Sequence, residues 1–377
     1  MKIVQVNSVC DVGSTGTIAS NLAREAIAQG DDVICAYGRK HCSATDINTI
    51  RIGNNLDVLG HIILTRLFDM HGLGSKRATR KFLEKIDDFH PDMFHLHNLH
   101  GYYINYPMLF EYIKKNNIKV KWTLHDSWAF TGHCAGPECY DCKLYLEGCT
   151  ECKQKREYPE SILFGRSAKN YREKKDAFLG VRDMKIITPS NWLAGLVKQS
   201  FLKEYDVEVI HNTIDTEIFR PTKSDFREKY ALTEKKIYLC VSFVWIDEKL
   251  NDIKKIATHL TDDEVIVLVG MTESDKKKIK GLKILGLGRT ESKKQLAEIY
   301  TAADVFINPT VKDDNYPTVN LEAQACGTYV VSYNGGGSAE TIADGKGDIV
   351  PWGDVDLLLK KAREYVGFKE DKIDAGV

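Results

Sequence analysis

The sequence predicts an α/β protein built from two doubly wound parallel-sheet domains. Short apolar runs of strand length alternate with stretches of helical periodicity, which argues for parallel sheets covered on both faces. The scheme runs through the chain twice. A polar turn, Asn212-Thr213-Ile214-Asp215, followed by Phe219-Arg220-Pro221, separates the two runs. Domains are therefore expected at residues 1–211 and 212–377.

In the first domain the expected strands are 3–6, 32–37, 93–97, 120–125, 185–188 and 207–211. Helices are expected at 16–29, 76–87, 107–116, 161–179 and 191–201. The second domain has expected strands at 237–242, 264–270, 283–286, 305–308 and 329–333, with helices at 247–259, 292–302, 317–326 and 354–365. In such sheets ligands bind outside the carboxyl ends of the strands. Candidate chemistry was therefore sought there.

The 377 residues suit two ordinary domains, and 43% apolar with 28% charged residues is a globular balance. A net charge of -1 argues against broad nucleic-acid binding. Met1-Lys2-Ile3-Val4-Gln5-Val6 reads as a strand, without the apolar core of a signal peptide, and no run reaches the ~18 apolar residues of a spanning helix. The chain is expected in the cytoplasm. Its ten cysteines are then expected as thiols or metal ligands rather than disulfides.

The stretch Asp313-Asp314-Asn315-Tyr316-Pro317-Thr318-Val319-Asn320-Leu321-Glu322 follows the strand at 305–308. Pro317 suits a first helical turn and Gly327 a helix end. Free amides at the helix start can bind phosphate, and carboxylates on either side accept hydrogen bonds from sugar hydroxyls. By residue type alone, Asp314 fits a loop-start cap and Glu322 a solvated helix position equally well. The stretch resembles the Glu-x7-Glu motif of retaining glycosyltransferases of family 4, which have the GT-B fold: two Rossmann-like domains facing across a cleft. Asp314 stands where the first Glu usually is, keeping the charge with a shorter reach, and Glu322 matches the second. The resemblance implies that Asp314 contacts donor-sugar hydroxyls and Glu322 the nucleotide ribose, with Asn315, Tyr316, Pro317, Thr318 and Val319 lining the donor site.

The same resemblance extends over nearly the whole chain. Asn334-Gly335-Gly336-Gly337-Ser338-Ala339-Glu340 occupies the place of the family's Gly-Gly…Glu turn. Arg289-Thr290-Glu291-Ser292 lies near its base-binding loop. Phe243-Val244-Trp245-Ile246-Asp247-Glu248-Lys249 matches the segment that carries an Arg and a Lys for the diphosphate. Lys249 supplies the Lys, the usual Arg is absent, Leu250 replaces the usual Gly, and Arg289 is the candidate substitute. In the first domain, Val12-Gly13-Ser14-Thr15-Gly16 lets backbone amides approach a phosphate, though it lacks the full dinucleotide and P-loop fingerprints. The resemblance makes Gly13 and Gly16 neighbours of the donor phosphates. His125, before Asp126 at a strand end, matches the family's histidine that contacts donor sugar or phosphate. His95 and His97 share one strand face, a pattern that also fits a metal pair; His97 or His100 is expected to line the acceptor side. The last helix is expected to pack back on the first domain.

Two Cys-x2-Cys pairs fall in Cys134-x4-Cys139-x2-Cys142-x6-Cys149-x2-Cys152. They fit a tetrahedral zinc site, with free thiols or an adventitious disulfide as the other reading. A similar insertion occurs in family 4 enzymes of bacterial surface-polysaccharide synthesis, and that resemblance favours Cys134, Cys142, Cys149 and Cys152 as a structural set. Leu59-Gly60-His61-Ile62-Ile63-Leu64-Thr65-Arg66-Leu67-Phe68 is apolar at helical spacing, with Lys76, Arg77 and Arg80 following. It fits a helix dipping into a membrane surface, but burial in the first domain is the reading adopted. The expected activity is retaining transfer from a nucleoside-diphosphate sugar to a glycan or polyprenyl-linked acceptor, with no catalytic metal or cofactor and with peripheral contact to the inner membrane face. His125, Asp314 and Lys249 would carry the chemistry. The rivals are an epimerase or phosphorylase on the same fold and a non-catalytic sugar-nucleotide binder.

Overall fold

The computed structural model describes residues 1–137 and 141–374, with side chains described to Val366. The chain divides into two compact units, Met1–His211 and Asn212–Val377.

The first unit runs β1 (Lys2–Asn7), α1 (Gly13–Ala28), β2 (Asp32–Tyr37), β3 (Asn48–Arg51), α2 (Asn55–Phe68), α3 (Lys76–Asp87), β4 (Met93–Leu96), α4 (Tyr106–Lys115), β5 (Lys119–Thr123), α5 (Ser167–Phe178), β6 (Met184–Thr188), α6 (Asn191–Gln199) and β7 (Asp206–Val209). Its seven strands lie in the order β3-β2-β1-β4-β5-β6-β7. The described pairings are all parallel. All four residues of β4 are buried, as a central parallel strand requires. On one flank, Phe178 of α5 sits against Tyr106, Phe110 and Trp122 with ring centroids 4.7–5.0 Å apart.

The second unit runs α7 (Phe226–Lys229), β8 (Lys236–Val241), α8 (Asp247–Thr258), β9 (Glu264–Val269), α9 (Glu273–Lys278), β10 (Ile284–Leu287), α10 (Lys293–Ala302), β11 (Val305–Asn308), α11 (Thr318–Ala325), β12 (Tyr329–Tyr333), β13 (Gly347–Val350) and α12 (Val355–Asp374). Six parallel strands follow the order β10-β9-β8-β11-β12-β13. Strand order reverses between β1 and β4 in one sheet and between β8 and β11 in the other. Crevices open at such switch points, and the loops after these four strands carry most of the candidate residues.

Three expectations need correction. Residues 161–166 are not helical; Ile162 N donates to Arg66 O at 2.7 Å and Phe164 N to Leu67 O at 3.2 Å, so the segment is tied to the end of α2. The apolar run in α2 is not buried by its leucines: the buried side chains are His61 and Thr65. Cys10 and Cys42 form a disulfide, where the cysteines were expected as thiols or metal ligands more often than as disulfides.

Candidate functional site

The second unit assembles its site from the loops after β8 and β11. Val311 to Pro317 leaves β11 and enters α11, whose start at Thr318 has no side-chain cap and no acidic residue in its first turn. Its first amides are thus free of a capping side chain. Thr310 Oγ1 donates to Asp314 Oδ2. Gly337 N donates to Asp314 O at 2.9 Å. A Cβ on Gly336, whose φ is +57°, would fall 2.1 Å from Asp314 O, and one on Gly335 would fall 2.3 Å from Val311 O. Only glycines allow the two loops to touch, which is the physical content of the Gly-Gly turn.

Burial pushes the Asp314 carboxyl above its ordinary value, while the charge of Lys249 and the hydroxyl of Thr310 oppose that rise. Lys249, from the first turn of α8, thus exerts its charge on this carboxyl, a contact that the sequence, which offered Lys249 for the diphosphate, did not point to. Leu250 beside it is fully buried in the core. Arg289 lies with its guanidinium 3.9 Å from the Phe243 ring centroid, and its Nη2 is 3.5 Å from Phe243 O. A cation thus stands at the loop that lacks the usual Arg. A cavity of about 160 Å³ opens beside it, lined among others by Tyr230, Leu287, Thr290 and Gln295.

Glu322 lies one turn inside α11. Tyr300 donates its hydroxyl proton to Glu322 Oε2 at 3.0 Å. Burial pushes the carboxyl up to about 7, against the lowering pull of Tyr300, Lys293 and Thr318. The contacts of Thr310 and Tyr300 with the two carboxylates were not legible in the sequence. Tyr300 lies on α10, twenty-two residues before Glu322, and Thr310 reaches Asp314 across four residues of the loop after β11 only because that loop turns back on itself.

In the first unit α1 begins at Gly13, with Val12 before it giving no side-chain cap and with no acidic residue in the first turn. Gly16 is buried in that turn, and its carbonyl accepts from Asp11 N at 3.3 Å. His125 follows β5. Its Nε2 meets His97 Nδ1 at 3.2 Å, and the rings stack at 5.5 Å. Burial lowers His125 to about 4, partly offset by Asp126, so it is neutral near pH 7 and serves as a hydrogen-bonding group. His95 bonds to Thr123 Oγ1 at 2.9 Å instead of lining a site. The sequence also did not disclose a chain from Asp126 through His100 to Tyr158. His100 Nε2 lies 2.7 Å from Asp126 Oδ2, and His100 Nδ1 lies 2.9 Å from the Tyr158 hydroxyl.

The cysteine insertion is partly described; Cys139 lies outside the described residues. Cys134 and Cys152 share a hydrogen bond that pushes the Cys134 thiol up and the Cys152 thiol down. Cys142 and Cys149 also act on Cys134. Cys149 Sγ accepts from Gly132 N at 3.1 Å. Among the described residues, no three His, Cys, Asp or Glu side chains meet as a metal site. The four thiols are soft donors in one neighbourhood, which suits zinc in chemistry.

Glu322 sets a pH signature. Its carboxyl keeps a proton in the native chain up to about 7, above its ordinary 4.5. The native state then binds more protons than the unfolded chain across that window, so stability is full below it and falls as pH rises through it. The loss is at most ~3 kcal/mol. The buried histidines, lowered to about 4 or below, titrate in the same window with the opposite sign in both proteins, so urea unfolding should show the Glu322 slope in the difference between wild type and Glu322→Gln. A stability difference that does not change with pH across the window would contradict the assignment.

Comparison with known proteins agrees with this geometry. The model "Glycosyltransferase Family 4" matches residues 15–218, and "Glycosyl transferases group 1" matches residues 222–370. The putative colanic acid biosynthesis glycosyl transferase WcaC of Escherichia coli K12 is 22% identical over 384 residues, covering 97% of this chain and 91% of that protein. The sucrose-phosphate synthase structure from Thermosynechococcus elongatus has a TM-score of 0.69 at 16% identity, covering 97% of this chain and 90% of that one. Anabaena HepE in complex with UDP-glucose gives 0.66 at 14% identity, covering 98% and 91%. The two parallel-sheet units have the GT-B architecture, and the chain belongs to glycosyltransferase family 4, as a retaining glycosyltransferase.

Proposed function

We propose that the chain transfers a sugar from a nucleoside-diphosphate sugar to a glycan or lipid-linked acceptor in polysaccharide synthesis. The observation that carries the reading is the buried Asp314 carboxyl, bonded by Thr310 and within the field of Lys249 where the sheet order reverses, beside an uncapped helix start. In this reading the amides of Asn315, Tyr316, Thr318 and Val319 face the donor and Glu322 accepts from the ribose hydroxyls. Asp314 accepts from the donor sugar. Lys249 and Arg289 balance the charge of the departing diphosphate; one well-aimed donor of this kind is worth ~3–4 kcal/mol. The amides near Gly13 and Gly16 add to that charge balance. Neutral His125 bonds the sugar without becoming a nucleophile. With no carboxylate assigned as nucleophile, the acceptor hydroxyl attacks on the face the diphosphate leaves, and its proton passes to a diphosphate oxygen.

The UDP-glucose complex of HepE and the putative colanic acid biosynthesis role of WcaC support donor class and pathway type. Arg289 beside Phe243 weighs for an enzyme over a non-catalytic binder, whose main support was the missing cation in that loop. The same reading makes the chain cytoplasmic, and a lipid-linked acceptor would bring it to the inner membrane face. Among the described residues no helix is long and apolar enough to cross a membrane. Structural zinc on Cys134, Cys142, Cys149 and Cys152 belongs to this proposal too. It would pin the loop after β5 and take no part in transfer.

Two tests follow. Charge-assisted bonds from the ribose to Glu322 are worth ~1.5–3 kcal/mol, so Glu322→Gln should weaken nucleoside-diphosphate binding about tenfold or more. His125→Ala should depress transfer far more than nucleotide affinity. Calorimetric titration with UDP, GDP and ADP beside transfer rates checks both, and the reverse pattern would overturn the division of roles. Elemental analysis should find about one zinc per chain, with transfer surviving brief EDTA treatment. Metal-free protein with freely titratable thiols would remove the zinc.

A further inference from the structure

A cluster of rings and one guanidinium lies at the carboxyl edge of the first sheet, apart from the groups given to the donor. Arg39 follows β2, and its amide donates to Ser8 O at 2.9 Å. Gly38 before it lies flush against the loop after β4: a Cβ there would fall 1.9 Å from Tyr103 Cβ. That close approach sets Arg39 beside Tyr102, with the guanidinium 5.7 Å from the ring centroid. Tyr102 is held at φ +67°. A bulky residue rarely adopts this left-handed backbone, and such outliers gather at functional sites. The neighbours of Tyr102 fix it from both sides. Gly101 N donates to His71 Nε2 at 3.3 Å, and the Tyr103 hydroxyl donates to Asn98 O at 2.8 Å.

Tyr158 completes the cluster. Its ring is 42% exposed and stands at 81° to that of Tyr102, with centroids 6.1 Å apart. His100 Nδ1 lies 2.9 Å from the Tyr158 hydroxyl, and His100 in turn meets Asp126, the residue after His125. The rings are thereby tied to the strand end that carries the histidine given to the donor sugar. Burial raises the hydroxyls of Tyr102 and Tyr158, and the charge of Arg39 opposes that rise in both. Among the described residues no carboxylate pairs with Arg39, whereas Arg66 is paired with Glu160 at 3.1 Å. A tyrosine ring offers its negative π face to the C–H face of a pyranose. A guanidinium offers a planar fork to a carboxylate or phosphate. Together they fit a sugar ring that bears an anionic group. In the transfer reading the donor diphosphate already has Lys249, Arg289 and helix amides, which leaves Arg39 for a second anion.

We propose that Arg39, Tyr102 and Tyr158 form an acceptor subsite for an anionic saccharide, with the rings against the sugar and the guanidinium on its carboxylate or phosphate. The acceptor role rests on the transfer reading; the charge and the stacking are read from these three residues. Saturation-transfer NMR on the full chain tests it, with the nucleoside diphosphate that binds the protein held at saturation so that the donor site is filled. The probes are glucuronic acid, glucose 6-phosphate and neutral methyl glucoside. At least one anionic sugar should bind about tenfold or more tightly than the glucoside, less so as salt rises, and the better of the two tells carboxylate from phosphate. Arg39→Met should erase that preference and leave glucoside binding as it was. Tyr102→Asn, which suits the left-handed backbone, should weaken all three probes. Circular dichroism checks that both variants remain folded. Equal binding of the three probes by the wild type, binding of none, or an unchanged preference in Arg39→Met would overturn the proposal. So would Arg39→Met losing nucleotide affinity instead, since Arg39 would then serve the donor. A failed transfer reading looks different: anionic sugars would still bind through Arg39 while no nucleoside diphosphate bound at all.

Discussion

The backbone contact between the Asp314 loop and the Gly335–Gly337 turn is the constraint on which the second unit's chemistry rests. The Gly337 N to Asp314 O bond of 2.9 Å holds the loop that follows β11 against the loop that follows β12. Those strands are neighbours in register, so the contact is made at the end of the sheet where its order reverses nearby. A side chain at either glycine would collide with a main-chain oxygen rather than with a movable side chain. The position of Asp314 is consequently a property of the backbone, which is the stiffest way to aim a carboxylate.

Burial gives the two acids different tasks. Asp314 is buried beside Lys249 and Thr310, so a cation is at hand for whatever negative charge develops there. Glu322 is buried beside the Tyr300 hydroxyl, with Lys293 as the charged neighbour, and its carboxyl rises to about 7. A ligand that donates hydrogen bonds would favour its ionised form and draw that value down. Donor binding and proton release at Glu322 are linked in this account, while at Asp314 the charge of a side chain of α8 opposes the effect of burial.

Much of the architecture was legible because parallel strands advertise themselves. β4 and β11 are short apolar runs buried on both faces, and the helix-start loops after them carry Gly, Pro and Asp where such turns need them. The edge strands β3 and β13 went unseen: Asn48-Thr49-Ile50-Arg51 is mostly exposed, and Gly347-Asp348 has little strand propensity. Helix α2 was legible in period but not in orientation. Which face turns inward was decided by the amides of Gly72 and Gly74, which His61 accepts from across eleven and thirteen residues. The Cys10–Cys42 pair, 32 residues apart, became visible only with β1 and β2 side by side. At the site, motif positions were readable, but the partners that tune them were not. Tyr300 and the His100–Asp126–Tyr158 chain meet their neighbours only through tertiary structure, and Thr310 meets Asp314 through the local turn of their shared loop.

The central claim is that the backbone-fixed Asp314 loop and the start of α11 hold the donor nucleotide. Calorimetric titration of Gly336→Ala against whichever of UDP, GDP or ADP binds the wild type tests it most directly. The substitution drives a methyl group toward Asp314 O and must shift the loop while leaving the sheet core untouched. The account predicts a folded protein whose nucleotide affinity falls about tenfold or more, since loop displacement removes bonds worth ~1 kcal/mol or more each. Wild-type affinity in the folded variant would contradict it.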